Sequence, residues 1–147
     1  MRVCLVSTEI AGSGLYGGFG CLTRDIAGGL AARGIDTYAV IPRQPNSKPV
    51  QTIQGIKVLS CPIDSYRDLK NSRPFAAVFR MIDADVYHSQ EPSIGTCLAQ
   101  IGEPQKKHVV TFQDPRTIED WRKQWVPHRP SRLYEIRFQL AYQHKVG

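Results

Sequence analysis

Five glycines crowd the stretch Gly12-Ser13-Gly14-Leu15-Tyr16-Gly17-Gly18-Phe19-Gly20, which follows an apolar run and leads into a helical pattern. Glycine has no Cβ, so a ligand can come within hydrogen-bonding reach of the main chain there. At the start of a helix the N–H groups lack partners of their own and lie at the positive end of the dipole. The combination predicts a place for an anion, phosphate above all. Two later stretches are also rich in polar groups, His88-Ser89-Gln90-Glu91-Pro92-Ser93 and Gln113-Asp114-Pro115-Arg116-Thr117. Their histidine, glutamine and carboxylate side chains can exchange hydrogen bonds with hydroxyl groups. Any one of these residues is as well explained by a turn or a helix cap. Three polar loops converging on one edge are harder to explain that way.

Chemistry shared among distant stretches needs a scaffold that brings them together. Val3-Cys4-Leu5-Val6 reads as a strand buried on both faces. Phe19, Leu22, Ile26 and Leu30 recur at helical spacing, which predicts a helix with this stripe toward the core and Gly34 at its left-handed end. Thr37 to Ile41 reads as a second strand stopped by Pro42, and the Pro-rich 43–50 segment as a loop. Ile56 to Leu59 is the third strand, entered through Gly55. Asp64 or Ser65 could cap a short helical stretch before Pro74, after which Phe75, Val78, Phe79 and Ile82 resume helical spacing. Asp85 to His88 is a fourth strand, Ser93 caps a helix through Ile101, and His108 to Phe112 is a fifth strand. Thr117 to Trp125 and Ser131 to Val146 read as helices. Alternating strands and helices imply an α/β fold, a doubly wound parallel sheet with ligands at the carboxyl ends of its strands.

At 147 residues, 41% hydrophobic and 22% charged, the chain reads as one globular domain spanning 1–147. It has no run of the roughly 18 apolar residues that a membrane span needs, and no secretory leader pattern. Cys4, Cys21, Cys61 and Cys97 lack paired metal spacing and read as reduced thiols, so the chain is expected in the cytoplasm, with no metal site. The formal charge is +6, and from Arg116 onward seven Lys/Arg stand against three acids, placing +4 there. That end could serve nucleic acid, an anionic membrane surface or a phosphorylated substrate, or be only a solvated helix face. Ile118, Trp121 and Trp125 form one helical stripe, with Arg122 and Lys123 off it, which makes nucleic acid the less favoured partner.

Gly12-Ser13-Gly14-Leu15-Tyr16-Gly17 matches G-x-G-x-x-G, but Thr8-Glu9-Ile10-Ala11 separate it from the strand and the helix begins nearer Phe19. A dinucleotide fingerprint begins almost directly after its strand and has an acid at the end of the second strand. Here Arg43 follows that strand and could hold a 2′-phosphate. A stand-alone nucleotide- or NADP-binding module is therefore the alternative reading.

Together these loops resemble the N-terminal half of a GT-B glycosyltransferase, most closely the large retaining family 4, or glycosyltransferase group 1. The resemblance rests on the loop ending in Gly17-Gly18, the helix closing as Leu30-Ala31-Ala32-Arg33-Gly34, the run Asp83-Ala84-Asp85-Val86-Tyr87-His88-Ser89-Gln90-Glu91-Pro92, and Val109-Val110-Thr111-Phe112-Gln113-Asp114. It covers essentially the whole chain in order. It implies a Rossmann-like, acceptor-side domain of an enzyme that transfers a sugar from a nucleotide-sugar donor with retention, using no cofactor beyond that co-substrate. His88 would lie near the reacting sugar, and Gly17 and Gly18 would approach the donor phosphate. Glu9, Tyr16, Gln90, Glu91, Gln113 and Asp114 would face a sugar or lipid-linked acceptor, which makes a peripheral contact with an anionic membrane a further expectation. The family often carries histidine where Gln90 and Gln113 stand. Its second, donor-binding domain is expected to lie outside this chain, leaving the fragment inactive by itself.

Overall fold

A computed structural model describes residues 1–45, 47–62, 73–91 and 93–113. The chain divides into two units, Met1–Thr111 and Phe112–Gly147, and the regular elements among the described residues all lie in the first. The helices expected after Asp64 or Ser65, over Thr117 to Trp125 and over Ser131 to Val146 fall outside the described residues.

The first unit begins with β1 (Arg2–Val6), α1 (Gly18–Ala31) and β2 (Asp36–Pro42). The hairpin of β3 (Val50–Ile53) and β4 (Ile56–Cys61) follows. A 3-10 turn at Arg73–Phe75 then runs into α2 (Ala76–Ile82), β5 (Val86–Ser89), α3 (Ile94–Gly102) and β6 (Lys107–Val110). The six strands form one sheet in the order β3-β4-β2-β1-β5-β6. All pairs are parallel except β3–β4. The sheet is flanked by helices on both faces and is compatible with a Rossmann-like fold.

Strand alternation divides the core in two. Val3 and Leu5 of β1 join Ala39, Ile41, Ile56, Val58 and Ala27 on the face that carries α1. Cys4 and Val6 join Phe79, Ile82, Ile94 and Leu98 on the face that carries α2 and α3. Successive Cβ atoms of a strand point to opposite faces, so an uninterrupted apolar strand supplies both cores at once. On the second face the Tyr87 ring meets Phe79 edge-on at 5.8 Å and stacks on His108 at 5.4 Å. Its hydroxyl donates to Phe79 O at 2.6 Å and accepts from Ala84 N at 3.1 Å.

Two expectations need correction. Val50–Ile53, a stretch that the sequence reading gave no strand of its own and that begins at the end of the expected 43–50 loop, is a separate strand. It turns back through Gln54 (φ 50°) and Gly55 (φ 82°) to pair Ile53 with Ile56. Positive φ at both central residues is what a two-residue hairpin needs to match strand twist. The buried line of α1 is also not the apolar stripe. Gly20, Thr23 and Ala27 are buried against the sheet, while Ile26 and Leu30 pack at its margin and Phe19 and Leu22 stay 37% and 38% exposed. Small side chains bring this helix close to the strands, so its larger residues spread to the side. The end of the helix matches expectation, with Gly34 at φ 76° and its N–H on Ala31 O at 2.9 Å.

At the amino edge of the sheet, Asp36 accepts from Arg2 Nε at 2.7 Å and from Lys57 Nζ at 2.9 Å. Asp85 accepts from the backbone N of Arg2 at 2.7 Å, and Lys106 pairs with Asp83 at 2.7 Å. These links tie the beginnings of the strands together and leave the carboxyl edge to the polar loops.

Candidate functional site at the carboxyl edge

Strands β1, β5 and β6 end in register, with Val6 opposite Ser89 and Ser89 opposite Val110. The chain runs from β1 outward to β2 on one side and returns to β5 on the other, so the strand order reverses between β1 and β5. In open α/β sheets ligands bind beyond the carboxyl ends at such a reversal. The loops that leave β1 and β5 are joined there. Gln90 N donates to Val6 O at 2.9 Å, and the Thr8 hydroxyl donates to a carboxylate oxygen of Glu91.

The loop after β1 is held from both ends. Ile10 is fully buried, and Ser13 N donates to Ile10 O at 3.1 Å in a tight turn. That turn uses positive φ at Gly12 (97°) and Gly14 (71°), where a side chain would be strained. The amide of Gln51 donates to Ser13 Oγ, tying the loop to β3. Ala11 N donates to Gly20 O at 2.9 Å, and a Cβ on Gly20 would stand 2.6 Å from Tyr16 Cβ. Gly20 is therefore required for packing. Gly17 (φ −122°, ψ −147°) and Gly18, the pair expected to meet phosphate, do not have positive φ, and a Cβ on Gly18 would meet nothing within 4 Å.

Helix α1 begins without a side-chain cap from Gly17 and without an acid in its first turn. Glu9 supplies the missing acceptor from the loop. Its Oε1 accepts from Gly17 N at 2.8 Å and from Gly20 N at 2.7 Å. The carboxylate stands where the sequence predicted an external anion. Below it, the Thr23 hydroxyl donates to Phe19 O at 2.8 Å and lies 2.9 Å from Ser7 Oγ, closing a buried polar contact between α1 and the end of β1.

The other residues singled out in the sequence fall in different settings. His88 is half-buried on β5, its Nε2 2.8 Å from Thr111 Oγ1, and burial lowers its pKa. It is thus a neutral hydrogen-bonding group at neutral pH. Gln90 is fully buried and presents no surface to a ligand in this conformation, whereas Glu91 is half-buried. Tyr16 is 51% exposed and Leu15 85% exposed at the tip of the loop. Gln113 is exposed and belongs to the second unit, and Asp114 lies outside the described residues. Cys4 and Cys61 are buried thiols whose pKa values burial raises, that of Cys61 to about 11, so neither supplies a thiolate at neutral pH.

Ser7 and Thr8 were not singled out as site residues by the sequence, and Ser93 only as a helix cap. Together with Val40, Ile41, Pro42 and Gly95 they line a small crevice between β1, β2 and the first turn of α3. Ser93 caps α3 as expected. Its Oγ accepts from Thr96 N at 3.4 Å, and its own N donates to Thr96 Oγ1 at 3.1 Å. A Cβ on Gly95 would stand 2.9 Å from Val6 Cγ1, so glycine lets α3 start against β1. The available signal was position, because Ser7 and Thr8 are the first polar residues past an apolar strand.

No helix among the described residues is long and apolar enough to cross a membrane. Comparison with protein-family models and with curated proteins returned no match to this chain.

Proposed function

We propose that this chain is the acceptor-side domain of a retaining GT-B glycosyltransferase, which transfers a sugar from a nucleotide-sugar donor to a hydroxyl-bearing acceptor. The observation that carries this reading is the carboxyl edge where the strand order reverses. There Thr8 and Glu91 are bonded across the loops after β1 and β5, and neutral His88 is the next residue inward on β5 to point to the α1 face. Hydroxyl, carboxylate and imidazole groups on a rigid sheet edge suit recognition of sugar hydroxyls. On this reading the nucleotide is gripped by a second domain, and the resemblance assigns Gly17 and Gly18 to the donor side. Gly18 is open to such an approach, while the N–H of Gly17 is already engaged by Glu9.

A dinucleotide-binding module is less well supported. That reading places a pyrophosphate on the first N–H groups of α1, and Glu9 occupies two of them.

The test is a titration of the isotope-labelled chain with methyl glycosides, with nucleoside-diphosphate sugars and with NADP, followed at the amides of Thr8, Gly18 and Glu91. Glycosides are expected to shift these amides saturably, with no sugar transfer by the chain alone. Saturable NADP binding at the same amides, with none for glycosides, would overturn the proposal.

A further inference from the structure

We infer that Thr111 is a positioning residue for the candidate site, its hydroxyl holding the His88 ring so that the free ring nitrogen meets an acceptor hydroxyl. The inference deepens the acceptor reading and rests on it for the identity of the ligand. The hold on the ring does not depend on that reading.

The two residues are placed by neighbouring strands. His88 lies opposite Val109 in the parallel register of β5 and β6, and Thr111 follows two residues beyond Val109. Side chains two apart along a strand share a face, so Thr111 stands diagonal to His88 toward the carboxyl edge. The main chain secures it there, because Thr111 N donates to Ser89 O at 2.9 Å. His88 Nε2 then lies 2.8 Å from Thr111 Oγ1. A ring bonded at one nitrogen cannot flip without breaking that bond, and the bond decides which nitrogen carries the proton.

The other nitrogen is left for a ligand. Nδ1 of His88 makes no hydrogen bond among the described residues, yet it is reached by solvent. The same face is open beside it, since Val109 is 48% exposed. Whichever way the pair shares its protons, one donor and one acceptor stay free. If the Thr111 hydroxyl donates to Nε2, Nδ1–H is a donor and the threonine oxygen can accept. If Nε2–H donates to Thr111, the threonine proton is free and Nδ1 accepts. A hydroxyl both donates and accepts, so it fits either arrangement, whereas an ionised carboxylate or phosphate only accepts and fits less well. Burial lowers the His88 pKa with no charged neighbour contributing. Thr111 therefore fixes the imidazole in place and leaves it neutral, which suits a hydrogen-bonding role.

The experiment records the imidazole nitrogen resonances of His88 in the labelled 147-residue chain and titrates the same samples with methyl glycosides. Wild type is compared with Thr111→Val, which keeps the shape and removes the hydroxyl, and with Thr111→Ser, which keeps the hydroxyl. In Thr111→Val the nitrogen resonances should move toward those of free neutral histidine, and glycoside affinity should fall at least about fivefold. Thr111→Ser should restore both. In a His88→Ala background Thr111→Val should cause no further loss of affinity, as expected of a residue that acts through another. Unchanged nitrogen resonances in folded Thr111→Val overturn the inference. So does unchanged affinity beside shifted resonances, or an undiminished further loss in the His88→Ala background, which would put Thr111 on the ligand itself. If Thr111→Val does not fold, Thr111→Ala takes its place in each comparison. If wild type binds no glycoside, the acceptor reading fails and takes the ligand with it, while the nitrogen spectra still decide whether Thr111 holds the ring.

Discussion

Thr8 and Glu91 are 83 residues apart in sequence, and the hydroxyl of one donates to the carboxylate of the other across the end of the sheet. Glu91 also uses its main-chain oxygen, which accepts from Thr96 Oγ1 at 2.8 Å. One residue thus links the loop after β1 to the first turn of α3. The pair adds a side-chain link between the two loops at the strand reversal, beside the main-chain bond from Gln90 N to Val6 O.

Replacing Thr8 by Val keeps the shape and removes the hydroxyl. We expect a loss of about 1 kcal/mol in stability, the usual worth of such a bond. Amide exchange at Glu9 to Ser13 should quicken while that in β2 and β4 stays unchanged. Denaturant melts give the first quantity and hydrogen exchange the second. An unchanged melt with unchanged exchange would show that the bond does not hold the loops.

The glycines of the first loop should separate by role. Gly20→Ala forces a Cβ to within 2.6 Å of Tyr16 Cβ and 3.2 Å of Ala11 N, and is expected to cost about 2 kcal/mol or more. Gly18→Ala enters open space in a helical conformation and should be neutral or stabilising by about 0.5 kcal/mol. Chemical denaturation of both variants checks the pair, and equal effects would contradict the packing described here.

Tyr87→Phe should destabilise by about 1 to 2 kcal/mol, because the hydroxyl that joins Phe79 O to Ala84 N is lost from a fully buried site. The lesion lies on the core side of β5, so binding at the carboxyl edge should survive. A denaturation curve together with a glycoside titration separates the two effects.

Lys57 and then Arg2 hydrogen-bond to Asp36 and hold its carboxyl below the ordinary carboxylate range. The folded-state pKa is therefore lower than the unfolded one. The stabilisation is complete above the ordinary value of about 4 and drains away as pH falls through the folded value. Asp36→Asn lacks this dependence. The gap in urea midpoint between wild type and Asp36→Asn should be present at neutral pH, close below about pH 4, and narrow in high salt, since the ions are partly exposed. A gap that persists under acid would mean that the asparagine is penalised for reasons other than charge.

The elements that the sequence disclosed are those whose signal is local. The apolar run of β1, the Ser93 cap three residues before Thr96, and Gly34 after α1 all carry their cause within a few neighbours. The hairpin at Gln54-Gly55 was hidden because glutamine is not a residue that ordinarily marks a positive φ, and Val50–Ile53 is a short edge strand beside two prolines. The orientation of α1 was misjudged because apolar spacing locates a stripe but not the line of closest approach, which here belongs to Gly20, Thr23 and Ala27. In the first loop, the glycine count did not tell the backbone roles of the five glycines apart. Gly12 and Gly14 carry the positive φ and Gly20 the close contact. That Glu9 fills the helix start depends on how the loop folds back from Ile10 to Gly20, and spacing alone does not encode that path.

Strand β1 precedes the other strands of this sheet in the chain, yet it lies inside the sheet, with one neighbour beginning 34 residues later and the other at a separation of 83. As the chain leaves the ribosome, α1, β2 and the β3–β4 hairpin can gather on β1 once Cys61 has emerged. Until β5 follows, β1 keeps a bare hydrogen-bonding edge, and Cys4 and Val6 wait without α2 and α3 above them. Nascent chains halted between Cys61 and Ser89 should therefore be the ones that chaperones hold and that aggregate when released. Chains halted beyond Val110, with β1 paired on both sides, should not.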